Sequence, residues 1–484
     1  MSEEIVIGLE VHIQLMTKSK IFCQCSTDYI GKKPNTNVCP VCLGLPGSLP
    51  VLNKKVLEFA IRTALALNCK INRASIFHRK NYFYPDLPKA YQISQYDSPL
   101  GVNGYMEIFI PESDEKRKIG ITRVHIEEDA GKLIHEGDIA TSSYSLVDYN
   151  RCGIPLAEIV TEPELRSPEE ARIFLIKLRN LVQHLEVCDG NMEEGSLRCD
   201  ANVSVRDIQT GNLGTKTEIK NMNSFRAVKK ALQFEVDRQK ELLAEGVKIV
   251  QETRHWDESK NITLSMRSKE EAHDYRYFPE PDLLPLRVSQ EMIEEVRKTL
   301  PELPEVRKER FIKIYNIPEY DAEILTSSKA LGDYYEKAAS LYPDKKVVSN
   351  WIMGELMRFL KEEKIEIEDS PISPENLIEM LKLMDERIIS GKMAKDIFET
   401  MFKTGKGARQ IIKESGVTQI TDENELIKIV DKIIKENPKS VEDFNQGKEK
   451  AINYLVGQVM RSTKGRAKPD FVFEAIKQRM KKIR

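Results

Sequence analysis

The sequence contains no run approaching the ~18 apolar residues that a membrane-spanning helix needs. Its opening residues, Met1-Ser2-Glu3-Glu4-Ile5, carry neither the basic nor the apolar region of a secretory leader, so the expectation is a cytoplasmic protein away from membranes. Four signatures are missing as well. Without G-x-x-x-x-G-K-[ST] the chain is not a P-loop ATPase, and without G-x-G-x-x-G it has no dinucleotide fingerprint. It also lacks the G-x-S-x-G elbow and an amidase signature, so amide hydrolysis is not expected on this chain. Internal repeats and low-complexity tracts are absent too.

What is present is an ordinary globular balance over 484 residues, 40% hydrophobic and 31% charged, enough for two to four domains. The net charge of −2 excludes a global basic bias. The end of the chain departs from it: residues 446–484 hold eleven Lys/Arg against three Asp/Glu, a local balance of +8. That fits a localised anionic partner such as nucleic acid, or else a lysine-rich soluble tail.

The pattern is mixed for about 285 residues and then helical almost to the end. A proline-rich stretch, Phe278-Pro279-Glu280-Pro281-Asp282-Leu283-Leu284-Pro285, marks the change. The expected division is 1–287, 288–410 and 411–484, the second break following Gly405-Lys406-Gly407. Within the first part, the apolar stripe of Lys54–Asn68 predicts a helix. Ser167-Pro168-Glu169-Glu170 opens a second, with Ser as N-cap and Pro at the first position.

Several segments read as strands with one apolar and one charged side. In the opening strand, Glu10, His12 and Gln14 share a face opposite Leu9, Val11 and Ile13. A carboxylate and an imidazole so placed suit a metal ion or acid–base work; a solvated polar face is the plain alternative. His125-Ile126-Glu127-Glu128-Asp129-Ala130-Gly131-Lys132 clusters hard oxygen ligands beside a small-residue turn, as Mg²⁺ with a phosphate-bearing substrate would require. Arg198, Asp200, Asn202, Ser204 and Arg206 share another face, as do Lys216, Glu218 and Lys220. Together these describe a sheet face densely charged with both signs.

The stretch from Arg79 to Gln95 interleaves Tyr82, Phe83, Tyr84 and Tyr91 with Arg79, Lys80 and Lys89, and Asp274-Tyr275-Arg276-Tyr277-Phe278-Pro279 is similar. Such aromatics stack on a base while the cations meet phosphates, or pack on the core. Four of the eight cysteines, Cys23-x-Cys25 and Cys39-Pro-x-Cys42, are spaced for a closed tetrahedral Zn²⁺ site, structural because it leaves no open position.

Val6-Ile7-Gly8-Leu9-Glu10-Val11-His12, Arg79–Asp86, His125–Lys132, Glu193-Glu194-Gly195-Ser196-Leu197-Arg198-Cys199-Asp200-Ala201-Asn202 and Asp274–Asp282 resemble the B-subunit family of tRNA-dependent amidotransferases. So does the end, Tyr454-Leu455-Val456-Gly457-Gln458-Val459-Met460-Arg461 with Thr463-Lys464-Gly465-Arg466-Ala467. The resemblance runs the whole length. It implies an α+β cradle domain with an antiparallel sheet, an all-α helical domain and a small all-α tail that touches tRNA. It implies ATP-dependent phosphorylation of the side-chain carboxylate of Glu-tRNA(Gln) or Asp-tRNA(Asn), followed by amidation. It also implies an amidase A subunit that releases ammonia from glutamine, a small C subunit, and contact with a non-discriminating aminoacyl-tRNA synthetase. The expected catalytic residues are Glu10, His12, Glu127, Glu128, Asp200 and Glu218, with Glu10, His12 and Glu128 as Mg²⁺ ligands. Lys80, Tyr82, Tyr84, Arg198, Lys464 and Arg466 are expected to meet ATP or tRNA, and Cys23, Cys25, Cys39 and Cys42 to hold Zn²⁺. The alternative is a non-catalytic zinc-containing tRNA-binding scaffold.

Overall fold

The computed structural model describes residues 3–135, 144–208, 212–268, 275–415, 423–445, 450–463, 467 and 469–482. They fall into two units, Met1–Pro304 and Glu305–Arg484.

The first unit is built in chain order from β1 (Glu3–Gln14), α1 (Lys54–Ala66), β2 (Lys70–Ile71), β3 (Phe77–Asn81), β4 (Tyr91–Gln95), β5 (Gly101–Ile110), β6 (Glu115–Glu128), β7 (Pro155–Thr161), α2 (Pro168–His184), β8 (Leu197–Asp207), β9 (Thr217–Met222), α3 (Phe225–Ala244), β10 (Glu252–Asp257), β11 (Ile262–Ser268) and β12 (Phe278–Pro279). Nine of these strands form one sheet in the order β11-β10-β9-β8-β1-β7-β6-β5-β2. Neighbours run antiparallel except β9 and β10. The chain's first strand therefore lies in the middle, between β8 and β7.

Strand alternation gives this sheet two unlike faces. On one, Leu9, Val11 and Ile13 of β1 meet Ala157 and Ile159 of β7, Val124 and Ile126 of β6, and Ala201 and Val203 of β8, all at most 1% exposed. They share a core with Ile61 and Ala64 of α1, Phe174 and Leu178 of α2, and Val228 and Leu232 of α3. Each fully buried large apolar side chain contributes about 1.5–3 kcal/mol, which fixes the register, because a one-residue slip would turn the whole set outward. The predicted Ser167 cap holds, accepting from the Glu170 amide, and Asn53 caps α1 by accepting from that of Lys55.

A second sheet, β12-β3-β4, joins the first through side chains. Gln95 Oε1 accepts from the Ile126 amide at 3.0 Å, and the Arg79 guanidinium grips buried Glu280 through two bonds of 2.7 and 2.8 Å. The latter pair ties β3 to the proline-rich segment after β12.

In the second unit, all regular structure among the described residues is helical. It has two cores, one containing Phe311, Tyr335 and Phe398, the other Leu455, Val472 and Ile476. Among the described residues, no helix is long and apolar enough to cross a membrane.

Candidate active site

The sheet face away from the helices carries the charge. Register sets His125 of β6 opposite Glu158 of β7, Glu158 opposite His12 of β1, and His12 opposite Arg198 of β8. One cross-strand row thus holds two imidazoles, a carboxylate and a guanidinium. Glu127, two residues from His125, completes the group. His12 Nε2 lies 3.2 Å from Glu127 Oε1 and 3.5 Å from Glu158 Oε2, and His125 Nε2 lies 3.1 Å from Glu158 Oε2.

Both carboxylates are almost wholly buried, and a buried anion survives only beside positive charge. Here the imidazoles supply it. Burial opposes protonation of His12, but Glu158 and Glu127 outweigh it and hold the imidazole up at about 10. The same balance raises His125. The two histidines in turn hold Glu127 and Glu158 well below the ordinary carboxylate range against the opposing effect of burial. Ligand atoms of His12, Glu127 and Glu158 all lie within 4.8 Å of one another, close enough for the three to hold one metal ion.

Two groups close over this cluster. Lys80 Nζ stands 5.0 Å from the Tyr275 ring and 5.9 Å from that of Tyr82. Burial pulls its pKa down, yet Glu127, the nearby Tyr277 and Tyr82, and Glu158 keep it above the ordinary lysine range. Tyr82 and Tyr275 meet edge to face at 5.8 Å, and Tyr96 stacks on Tyr277 at 4.1 Å. Asn81 sets the position of this aromatic group: its amide donates to the Tyr275 carbonyl at 2.9 Å and its side chain to that of Arg276 at 2.9 Å. Arg198 is held beside His12 by Asp129 at 3.0 Å, and Asp129 also accepts from Gln14 at 3.0 Å.

A second acidic patch adjoins the first. Glu10 faces Asp200 across β1 and β8 and accepts from Asn202 at 2.9 Å. Lys220 bonds Asp200 and lies 3.1 Å from Glu218, which accepts from Thr253 at 2.8 Å.

Of the expected Mg²⁺ ligands, His12 is in the cluster and Glu10 lies beside it, but Glu128 lies elsewhere. It bonds Lys89 and accepts from the Ile93 amide at 2.9 Å. It also lines a cavity of about 290 Å³ that is bordered by Lys20, Cys42 and Lys89. The alternation already separated it, because Arg123, His125 and Glu127 point one way while Val124, Ile126 and Glu128 point the other. The group whose ligand atoms come together is therefore His12, Glu127 and Glu158, and of the expected set Glu10, His12 and Glu128 only His12 belongs to it. Tyr84 is 55% exposed on the loop after β3, away from the Tyr82–Tyr275 contact. Lys464 and Arg466 lie outside the described residues.

Residues 5–294 match the GatB/GatE catalytic domain and residues 333–480 the GatB domain. The chain is similar to the B subunit of the aspartyl/glutamyl-tRNA(Asn/Gln) amidotransferase of Caldanaerobacter subterraneus subsp. tengcongensis, at 60% identity over 482 residues covering 100% of both chains. It is 58% identical to the corresponding protein of Carboxydothermus hydrogenoformans, over 99% of each chain. The Moorella thermoacetica counterpart is 56% identical over 99% of this chain and 100% of its own. The chain belongs to the tRNA-dependent amidotransferase B-subunit family. Membership makes it part of a ligase that forms carbon–nitrogen bonds with glutamine as amido donor, and sets the scaffold alternative aside.

In this member of the amidotransferase family, Glu158 is the site residue that the sequence pattern did not reveal. It is one acid in the otherwise apolar strand Pro155-Leu156-Ala157-Glu158-Ile159-Val160, and an acid there is the signal. Asp129 stood in the acidic cluster read from the sequence, but its hold on Arg198 was not foreseen, because it lies just past the end of β6, where alternation gives no guide.

The four cysteines also converge. Their sulfurs lie within 4.8 Å of one another, and Cys39 and Cys42 are 3.8 Å apart, about the edge length of a tetrahedron with Zn–S near 2.3 Å. Gly44, at φ +65, ends the turn after Cys42. Cys42 is held down at about 5 by a hydrogen bond from Cys23, against burial and with help from the Cys39 amide and Lys20. Burial pushes Cys25 up to about 11. Four thiols so close together are a set that a divalent ion would deprotonate and bind.

Proposed function

We propose that the charged face holds Mg²⁺ and the polyphosphate of ATP, and that it phosphorylates the side-chain carboxylate of Glu-tRNA(Gln) or Asp-tRNA(Asn) before ammonia displaces the phosphate. The observation that carries the reading is the convergence of His12, Glu127 and Glu158, within 4.8 Å of one another, beneath the Lys80 ammonium.

The chemistry explains why such a face is needed. A carboxylate is a poor acceptor for ammonia because its leaving group would be an oxide. Attack of the carboxylate oxygen on the γ-phosphorus forms the acyl phosphate and breaks the bond to ADP. Ammonia then adds to the acyl carbon, loses a proton, and expels inorganic phosphate to leave the amide. The bound Mg²⁺ would neutralise charge on the transferring phosphoryl group. His12, Glu127 and Glu158 would hold it, His12 giving up its proton to do so. Lys80 and Arg198 offer cations to phosphate oxygens from either side of that cluster, and Asp129 fixes Arg198. Tyr82 and Tyr275 provide ring faces for a base, and Lys220 bridges Asp200 and Glu218 beside Glu10. The four cysteines hold a structural Zn²⁺ away from the reaction.

On this reading the chain works in the cytoplasm as one part of a heterotrimer. A glutaminase A subunit supplies ammonia, a small C subunit completes the assembly, and a non-discriminating synthetase supplies the charged tRNA. Residues 1–287 form the cradle, 288–410 a helical domain and 411–484 the tail, where Lys464 and Arg466 meet tRNA. The relatives' names support the amidotransferase and both tRNA specificities.

The test is amidation of both misacylated tRNAs by the reconstituted complex, with ammonium as bypass donor. Ammonium should replace glutamine, and ATP should stay indispensable with one phosphate released per amide. Amide formed from ammonium without ATP would overturn the kinase-like step.

A further inference from the structure

Lys20 is the one lysine among the described residues with no exposed surface at all, and among those residues its ammonium has no carboxylate within ion-pair distance. It follows β1 and enters the cysteine loop. Its amide donates to the Cys25 carbonyl at 2.9 Å. Its Nζ donates to the Asn37 carbonyl at 2.8 Å and stands 3.9 Å from Cys42 Sγ. Asn37 is itself pinned, donating from its side chain to the Ser26 carbonyl at 2.8 Å and from its amide to Asn150 at 2.7 Å. Lys20 therefore bridges both halves of the cysteine set. The other charged groups bordering the same cavity, Lys89 and Glu128, are bonded to each other, while Arg79 is committed to Glu280 and Asp282.

A buried ammonium without an anionic partner is costly, and the anions within reach of Lys20 among the described residues are thiolates. A divalent ion bound by four thiolates carries a net charge of −2. That charge, in a cavity wall largely closed to water, is as costly alone as the ammonium is. Each is the other's compensation.

We propose that Lys20 is a built-in counter-ion of the four-cysteine metal centre: it raises the affinity for a divalent ion by offsetting the charge of the tetrathiolate, and it contributes less to stability when the metal is gone. The proposal rests on the reading that Cys23, Cys25, Cys39 and Cys42 hold a metal. It assigns Lys20 no part in the transfer reaction.

The two halves of this statement predict effects of different size. Lys20→Met removes the charge and keeps the stem. In the full-length chain, zinc affinity measured by chelator competition should weaken about 10–100-fold, the range found when partners of metal ligands are removed. After the metal is stripped, Lys20→Met should lower the melting temperature less than it does in the loaded protein, because the ammonium then offsets less negative charge. Lys20→Arg keeps the charge and should stay near wild type in affinity. Cobalt substitution, read by its tetrathiolate absorption, reports whether four sulfurs still bind in each variant.

A zinc affinity of Lys20→Met within about twofold of wild type would overturn the proposal. So would equal destabilisation of the loaded and stripped forms, which is what a merely structural lysine gives. A wild-type chain that takes up neither zinc nor cobalt would fail earlier, at the cysteine centre itself, and is told apart by the absence of any cobalt spectrum.

Discussion

The first unit gathers metal-capable side chains at two places, and the two are assembled in opposite ways. The cysteine set comes from one stretch, residues 23–42, and its second half is a single helical turn from Pro40 to Leu43 capped by Gly44. The His12–Glu127–Glu158 cluster comes from three strands that meet only because β1 inserts between β8 and β7 and because β7 pairs with β6. Local spacing builds the first, and sheet order builds the second. The donors follow the same division: four soft thiolates would enclose an ion completely, whereas three imidazole and carboxylate donors would leave coordination positions for substrate.

The comparison is broken most severely by removing one ligand from the sheet cluster. Glu158→Gln keeps the strand and its hydrogen-bonding shape but removes a charge, and it should lower ammonium-dependent amidation about 10²–10³-fold while tRNA binding persists. Activity within a few-fold of wild type would show that Glu158 is not a ligand. Cys42→Ser should act on the other side. The chain should lose its zinc and melt at a lower temperature, and the fraction that stays folded should keep its turnover with ammonium. A loss of turnover as deep as that of Glu158→Gln, in protein shown to be folded, would make the cysteine centre part of the chemistry.

A smaller effect tests how the cysteine turn is seated. Gly44 sits at φ +65, and an added Cβ would lie 2.3 Å from Lys89 Cγ. Gly44→Ala should cost about 1–3 kcal/mol in denaturant unfolding with zinc still bound. An unchanged midpoint would mean that Lys89 moves aside freely. Smallest is an electrostatic contact remote from both centres. Glu169, in the first turn of α2, is held down at about 2 by Arg172 and Lys229 against the opposing effect of burial. A carboxyl whose folded pKa lies below its unfolded value contributes stability above about 4.5 and loses it as the pH falls toward about 2. Glu169→Gln should therefore lower stability by about 1 kcal/mol at neutral pH, and the difference should fade across that acid window. A difference that persisted at pH 2 would assign the effect to shape instead of charge.

Much of this was legible in the residues. The period-two alternation of β1 separated Glu10, His12 and Gln14 from Leu9, Val11 and Ile13, and the sheet keeps that separation. Ser167 caps α2 as its motif required. The four cysteines converge as their spacing indicated. The differences between expectation and geometry have physical causes too. Glu128 was grouped with His12 because consecutive acids look alike in sequence, although adjacent residues on a strand face opposite ways. Glu158 escaped because a lone acid in an apolar strand gives no cluster to notice; its partners are supplied by other strands. The aromatic stretches around Tyr82 and Tyr275 were each visible, but their meeting depends on Asn81 holding the distant Tyr275–Arg276 backbone.

The sequence by itself determined which side chains share a face, where helices start, and that four thiols could enclose one ion, because these follow from covalent geometry over a few residues. Tertiary structure alone decided that His12 lies between Glu158 and Arg198, that Glu127 rather than Glu128 completes the cluster, and that Lys80 overhangs it. Strand order and register are set by burying one apolar face against three helices, a condition on the whole domain that no single segment carries.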